Sequence, residues 1–250
     1  MFMYLIGDIG NTETKICLFD ANSRIKKKVS FKTKLISSKY LRQKLNFLKL
    51  NKTKVSRILF CSVVPKSFKI IKSYLQKKIK VKCQELKDIK LKSFVKIKVN
   101  KKQIGSDRIA NAISVIDNKN NFIILDFGTA TTFDVVIKNN YLGGVIAPGV
   151  NLSLENLVNK ASLIPSIKLS NTKYVIGKNT NNAVRSGFYW GYTGLINNII
   201  NLIIKQTRKK FKIIFTGGLS YLFKNSIKNK VITNKDLTVK GLLKVVKQLD

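Results

Sequence analysis

The sequence predicts an α/β fold built from two similar halves, on three observations. Strand-like apolar runs alternate with stretches of helical spacing along the chain. A turn of the form Asp8-x-Gly10-x-Thr12 returns as Asp126-x-Gly128-x-Ala130, with Asn11 falling on Thr129, an internal repeat 118 residues apart in a chain of 250. No Pro- or Gly-rich linker separates the two copies; the apparent boundary is Asn118-Lys119-Asn120-Asn121, which predicts halves of 1–118 and 119–250.

Taken in order, residues 2–7 read as a buried strand, 8–12 as a tight turn and 15–19 as the returning strand of a hairpin with an acid at its mouth. Leu41, Leu45, Phe47 and Leu48 give 40–50 helical spacing, and 55–64 reads as a strand stopped by Pro65. A helix over 66–78 and short strands at 81–84 and 94–99 follow. Ser106 or Asp107 can cap a helix reaching about 117, with Ile109, Ala112, Ile113 and Ile116 on one face. The second half starts the same way: a strand at 122–125, a turn at 126–132, strands at 133–137 and 141–146, and then Ala147-Pro148-Gly149. A long helical stretch with Asn-rich turns covers 180–208, a strand at 212–215 empties into Thr216-Gly217-Gly218, and 238–248 forms a last helix.

Composition narrows the chemistry. There are 48 Lys and Arg against 12 Asp and Glu, a formal net charge of +36, and no His at all. Cys17, Cys61 and Cys83 are odd in number and far apart, so disulfide frameworks, zinc sites and every His-based acid, base or triad are excluded. No apolar run approaches the roughly 18 residues of a membrane span, and an acid at Asp8 with no basic segment before it does not fit a signal peptide. A cytoplasmic protein without a membrane partner is expected. The charge invites a nucleic-acid reading, but only six of the basic residues are Arg (24, 42, 57, 108, 185 and 208), whereas phosphate and base recognition favours the Arg fork. Lys spread along the whole chain reads as a solvated coat, and no specific nucleic-acid partner is expected. The few acids are more informative: Asp8, Asp107, Asp126 and Asp134 sit in or beside apolar strands or glycine turns.

An Asp at a strand end followed by Gly and small polar residues has a physical logic. Gly lets the turn approach a phosphate, backbone N–H groups point at the anion, and the Asp holds a cation against it. One such turn often merely closes a hairpin; one per half, with Gly217-Gly218 as a third, predicts a nucleotide cleft between the halves. A P-loop is absent, because Thr172 stands where the first Gly would precede Gly177-Lys178-Asn179-Thr180, and there is no G-x-G-x-x-G. Asp107 alone reads as a helix cap, Asp134 as a strand residue satisfied by a neighbour or a functional acid, and Phe188, Tyr189, Trp190 and Tyr192 as core or interface.

Asp8-Ile9-Gly10-Asn11-Thr12, Ser62-Val63-Val64-Pro65, Gly105-Ser106-Asp107-Arg108, Asp126-Phe127-Gly128-Thr129-Ala130-Thr131-Thr132, Gly143-Gly144-Val145-Ile146-Ala147-Pro148-Gly149 and Thr216-Gly217-Gly218 follow one another in an order that resembles the type III pantothenate kinases. The resemblance runs from residue 3 to about 245. It implies two duplicated actin/ribonuclease H-like halves, the fold of actin, Hsp70 and the sugar kinases. It also implies transfer of the ATP γ-phosphate to pantothenate, the first step of coenzyme A synthesis, in a homodimer. Mg²⁺ would enter with ATP, beside a monovalent cation, K⁺ or NH₄⁺.

Carried over residue by residue, the resemblance lays the ATP phosphates over Asp8, Ile9, Gly10, Asn11, Thr12, Glu13, Thr14 and Lys15, with Thr129 as a further ATP contact. Asp8 would organise Mg²⁺ through water, Asp126 would be the K⁺ ligand, and Gly105, Ser106, Asp107 and Arg108 would form the pantothenate loop with Asp107 as general base. Thr180 matches a substrate contact, with an N-cap as its plainer role. Phosphoryl transfer needs mainly positioning, charge neutralisation and an acceptor for the hydroxyl proton, which a His-free chain can supply. The chain departs from the family at Lys98-Val99-Asn100-Lys101, where members carry a Tyr and then Asn-Pro; Asn100 stays, and the lost contact bears on affinity rather than reaction type. The alternative from another class is a kinase-fold regulatory protein without turnover.

Overall fold

The computed structural model describes residues 2–48 and 54–249. They fall into two compact units, Met1–Ile116 with Asp236–Asp250, and Asp117–Lys235.

In the first unit, β1 (Met3–Ile9), β2 (Glu13–Asp20) and β3 (Ile25–Lys32) form an antiparallel meander, followed by α1 (Ser38–Leu45). Then β4 (Val55–Ser62) runs parallel to β1, α2 (Pro65–Ile79) crosses, and β5 (Cys83–Glu85) runs parallel to β4, giving the sheet order β3-β2-β1-β4-β5. Strand β6 (Lys96–Ile97) and helix α3 (Ser106–Val115) complete this part of the chain. The second unit repeats the plan. Strands β7 (Asn121–Phe127), β8 (Ala130–Ile137) and β9 (Asn140–Pro148) form the meander, and helices α4 (Val150–Lys160) and α5 (Thr180–Thr207) follow. Strand β10 (Lys212–Gly217) runs parallel to β7, and after α6 (Ser220–Phe223) β11 (Val231–Thr233) runs parallel to β10. The order β9-β8-β7-β10-β11 copies that of the first sheet strand for strand, so the α/β class and the duplication expected from the sequence are both present.

The central strands are apolar because both their faces are covered. Leu5, Ile9, Ile16, Leu18, Ile58 and Phe60 pack with Leu41, Leu45, Ile71 and Leu75 of α1 and α2 in the first core. Ile123, Leu125, Phe133 and Phe215 pack with Ile196 and Ile200 of α5 and Phe223 of α6 in the second. Phe188, Tyr189 and Tyr192 lie against that second core, with the Tyr189 ring stacked 6.1 Å from Phe223, so these three aromatics of α5 are packing residues, while Trp190 beside them is exposed.

The chain's end departs from the expected halves. Helix α7 (Leu237–Val246) lies in the first unit, because it packs on α3. Gly241 permits the approach, since a Cβ there would fall 1.9 Å from the Ala110 carbonyl oxygen. Thr238 donates to Asn111 Oδ1 at 2.9 Å, and the Lys244 ammonium donates to the Ile113 and Ile116 carbonyls at the C-terminal end of α3, where a cation meets the helix dipole. The helix expected over 40–50 ends at Leu45, with a 3-10 turn to Leu48; residues 49 and 50 lie outside the described ones.

Candidate active site

In the first unit the phosphate-turn candidates are held from below. Gly10 N donates to Glu13 O at 3.0 Å to close the hairpin, and Thr33, just past β3, donates its hydroxyl to Gly10 O at 2.7 Å and its amide to Thr12 O at 2.9 Å. With these carbonyls engaged, Asn11, Thr12 and Glu13 stand exposed at the tip. Asp8 lies within β1 rather than in the turn, half-buried, opposite Lys15 in register on one side and Cys61 on the other. Two of the expected contact residues point elsewhere. Ile9 is in the core and Thr14 is fully buried with its hydroxyl 2.9 Å from that of Thr33, because strand alternation sends residues paired across the hairpin to the same face; only their backbones face the turn.

The acceptor-loop candidates gather beside Asp8. Neither Ser106 nor Asp107 caps α3; the N-cap position is Gly105, in extended conformation and without a side-chain cap. A Cβ on Gly105 would fall 2.3 Å from Asp107 Oδ1, so the Asp107 carboxylate folds back over the glycine, where it accepts from Arg108 N at 2.8 Å. Burial pushes the Asp107 carboxyl above the ordinary aspartate value, outweighing the amide hydrogen bond and the Arg108 charge that lower it. Ser106, by contrast, is buried: its hydroxyl accepts from Ser62 N at 2.8 Å and donates to Ser62 O at 3.1 Å, so it ties α3 to the end of β4 instead of facing a ligand.

Two residues that sequence reasoning passed over tie the site together. The buried Cys61 thiol donates to Asp8 Oδ1 at 3.3 Å. Burial, then the negative charges of Asp8 and Asp107, push the Cys61 thiol far up, so both carboxylates act on the same sulfur. Glu85 accepts from Ser62 N at 3.2 Å and from Lys87 N at 2.5 Å, and burial raises its carboxyl above the ordinary value. Neither stood in a recognisable motif, although Cys61 directly precedes Ser62-Val63-Val64-Pro65.

The second unit builds a matching turn around Asp126, which is half-buried near the end of β7. Gly128 N donates to Ala130 O at 3.1 Å, and Gly218 N donates to Phe127 O at 3.2 Å. Gly217 has φ +86, and a Cβ there would sit 2.6 Å from Asp126 Oδ1 and 2.5 Å from Phe127 N. Gly149 lies as close to the next turn, where a Cβ would fall 2.2 Å from Thr129 O. On the Gly217 side the carboxylate is thus walled by bare backbone, and Thr129 on the following turn is exposed. The hydroxyl oxygens of Thr131 and Thr132 are enclosed with no hydrogen-bond partner. Asp134 is fully buried and accepts from the Tyr141 hydroxyl at 2.6 Å, which answers its open reading in favour of a structural role. Thr180 is exposed on the first turn of α5, but the cap is Asn179, whose side chain accepts from Asn182 N at 2.9 Å.

Among the described residues no group of three or more His, Cys, Asp or Glu can hold a metal by itself. A single carboxylate such as Asp8 suits a hydrated divalent ion that takes its other ligands from phosphate and water. A half-buried carboxylate walled by glycine backbone, as at Asp126, can take a cation. No described helix is long and apolar enough to cross a membrane.

The profile of one protein family, type III pantothenate kinase, matches residues 4–202. A type III pantothenate kinase from Pelagibacter ubique (strain HTCC1062) is 61% identical over 242 residues, spanning 97% of this chain and 98% of its own. Among solved structures, a conserved protein of Campylobacter jejuni named for the Baf family of transcriptional activators aligns with a TM-score of 0.63 at 20% identity, over 98% of both chains. The activator of the 2-hydroxyisocaproyl-CoA dehydratase from Clostridium difficile, solved with bound ADPNP, aligns with a TM-score of 0.54 at 10% identity, over 99% of this chain and 98% of its own. At those identities the two structures speak to the fold alone.

Proposed function

This chain belongs to the type III pantothenate kinase family, and from that premise we propose how its residues divide the work. The chain is an ATP-dependent kinase that transfers the γ-phosphate to pantothenate, giving 4'-phosphopantothenate, the first step of coenzyme A biosynthesis, with ATP and a divalent metal ion in use. In our reading Asp107 is the general base: it accepts the proton of the attacking pantothenate hydroxyl. The observation that carries this is its half-buried carboxylate, folded over Gly105 in the company of Asp8 and held above the ordinary aspartate value, which favours proton uptake. Gly105 and Arg108 orient the acceptor with Thr180, while Ser106 fixes the loop from beneath. The backbone from Asp8 to Lys15 receives the phosphates, and Thr129 is a further ATP contact.

Asp8 would hold Mg²⁺ through water and Asp126 would hold K⁺ or NH₄⁺; when bound, these ions supply positive charge against the phosphate oxygens. We further propose a cytoplasmic homodimer. Leu163, Tyr174, Val175 and Ile176 are 90%, 79%, 68% and 86% exposed, large apolar side chains that a second copy would cover. The test is ADP release in a coupled assay with and without pantothenate. Pantothenate-dependent ADP formation is expected; ADP release indifferent to pantothenate, or none with Mg²⁺ and K⁺ present, would favour the regulatory reading.

A further inference from the structure

Lys15 and Lys28 lie on adjacent strands of the first unit, Lys15 opposite Ser30 and Lys28 opposite Cys17, which makes the two lysines diagonal neighbours on one face of the sheet. Both ammonium groups converge on one oxygen of Asp236. Lys28 Nζ is 2.5 Å and Lys15 Nζ 3.5 Å from Asp236 Oδ1. The acid arrives from the start of α7, 208 residues beyond Lys28 in sequence.

The helix does not explain this carboxylate. An Asp at an N-cap ordinarily accepts a backbone amide from the first turn, yet Asp236 makes no side-chain cap and its backbone, at φ −114 and ψ 25, lacks the extended conformation of a capping residue. Nor is it a fully exposed ion pair, where little is gained: the Lys15 and Asp236 side chains are only 20% and 23% exposed. Burial raises the Asp236 carboxyl, but the two lysines outweigh it and hold it below the ordinary value, so it stays ionised. Lys15 is also the residue paired across the hairpin with Asp8.

We propose that Asp236 is a positioning residue for the phosphate donor: its carboxylate holds the Lys15 ammonium beside the turn that begins at Asp8, and Lys28 shares that carboxylate. Two cations on one anion leave a net positive charge, so Lys15 is fixed without being neutralised. A free lysine surrenders rotamer freedom when it meets a phosphate; a held one has already surrendered it. The proposal rests on the reading of Asp8 to Lys15 as the ATP phosphate site.

The experiment is steady-state kinetics of Asp236→Ser in the full-length enzyme. Ser is a good N-cap, so α7 should keep its stability, whereas the anchor for Lys15 is gone. The expected result is a KM for ATP raised about five- to tenfold, the scale of one lost charge-assisted contact, with kcat and the KM for pantothenate nearly unchanged and the melting temperature kept. In a Lys15→Met background the same substitution should add nothing, since the two act as one unit. If the Ser variant folds poorly, Asp236→Asn with the ATP-induced thermal shift gives the second reading. A lowered melting temperature with an unchanged KM for ATP would make Asp236 purely structural and overturn the proposal. An unchanged KM for ATP in Lys15→Met would show that the Lys15 ammonium does not meet the phosphates and overturn the proposal while leaving the backbone phosphate site standing, so the two failures are distinguishable.

Discussion

Asp8 and Asp126 hold the same place in two sheets, each the sixth residue of a seven-residue central strand with an antiparallel neighbour on one side and a parallel neighbour on the other. Their surroundings differ. Asp8 takes a hydrogen bond from Cys61 in the parallel strand, whereas Asp126 faces Thr216 and the bare Cα of Gly217. The duplication therefore supplies one carboxylate position twice, and the parallel neighbour sets what each can do.

If Asp126 holds a monovalent ion, activity should collapse in Na⁺ or Tris buffer and recover with K⁺ or NH₄⁺, and Asp126→Asn should blunt the recovery. Asp8→Asn should instead raise the Mg²⁺ concentration needed at every K⁺ level. Initial rates over a grid of both ions separate the two; equal activity in all buffers would leave Asp126 structural.

Asp107→Asn should keep the fold and ATP binding, because the Asn side-chain oxygen can still accept from Arg108 N and α3 is not capped by this side chain. Turnover should fall by about 10²-fold or more, the usual loss when a general base is removed. Near-normal turnover in this variant would remove Asp107 from the mechanism.

The raised Asp107 carboxyl also makes a pH prediction. Folded Asp107 binds its proton more tightly than the unfolded chain does, so its contribution to stability is present at low pH and lost as pH rises from the ordinary value of 3.8 through the raised one. At neutral pH the ionised side chain therefore costs stability. Asp107→Asn should melt higher than the parent at pH 7, with the gap closing below about pH 4. The acid limb of kcat/KM, which needs the base ionised, should lie above the ordinary aspartate range. An unchanged melting temperature at both pH values would refute the linkage.

Much of this site was legible because glycine turns and acids are scarce and local, so Asp8-x-Gly10 and Asp126-x-Gly128 stood out against a lysine-rich background. Other parts were not. Strand β3 reads Ile25-Lys26-Lys27-Lys28-Val29-Ser30-Phe31-Lys32, whose lysines mark a solvated sheet edge and mask its alternation. The return of α7 to the first unit depends on Gly241 meeting Ala110, a contact between positions far apart in the chain that no periodicity announces. The inward turn of the Ser106 and Thr14 hydroxyls was hidden for a related reason: their partners, Ser62 and Thr33, are brought near only by the folded sheet.

Gly217→Ala should test the wall around Asp126. At φ +86 an L-residue is strained, and the new methyl would collide with the Asp126 carboxylate and the Phe127 amide. Stability should fall by about 1–3 kcal/mol, and monovalent-ion activation should weaken in the surviving folded enzyme. Gly218→Ala, with nothing within 4 Å of its added carbon, is the control that should change little.

The last prediction concerns the net charge of +36. If the lysines are a solvated coat, duplex DNA should bind weakly, without sequence preference, and release at moderate salt, because such binding rests on counterion release alone. ATP and pantothenate should leave it unchanged, since the proposed catalytic residues are not part of that surface. Binding measured at rising salt decides the matter. Affinity that falls by several decades by about 200 mM salt is the signature of phosphate-only contacts, whereas tight, sequence-selective binding that survives there would require base-edge contacts and would give the chain a regulatory role beside its kinase activity.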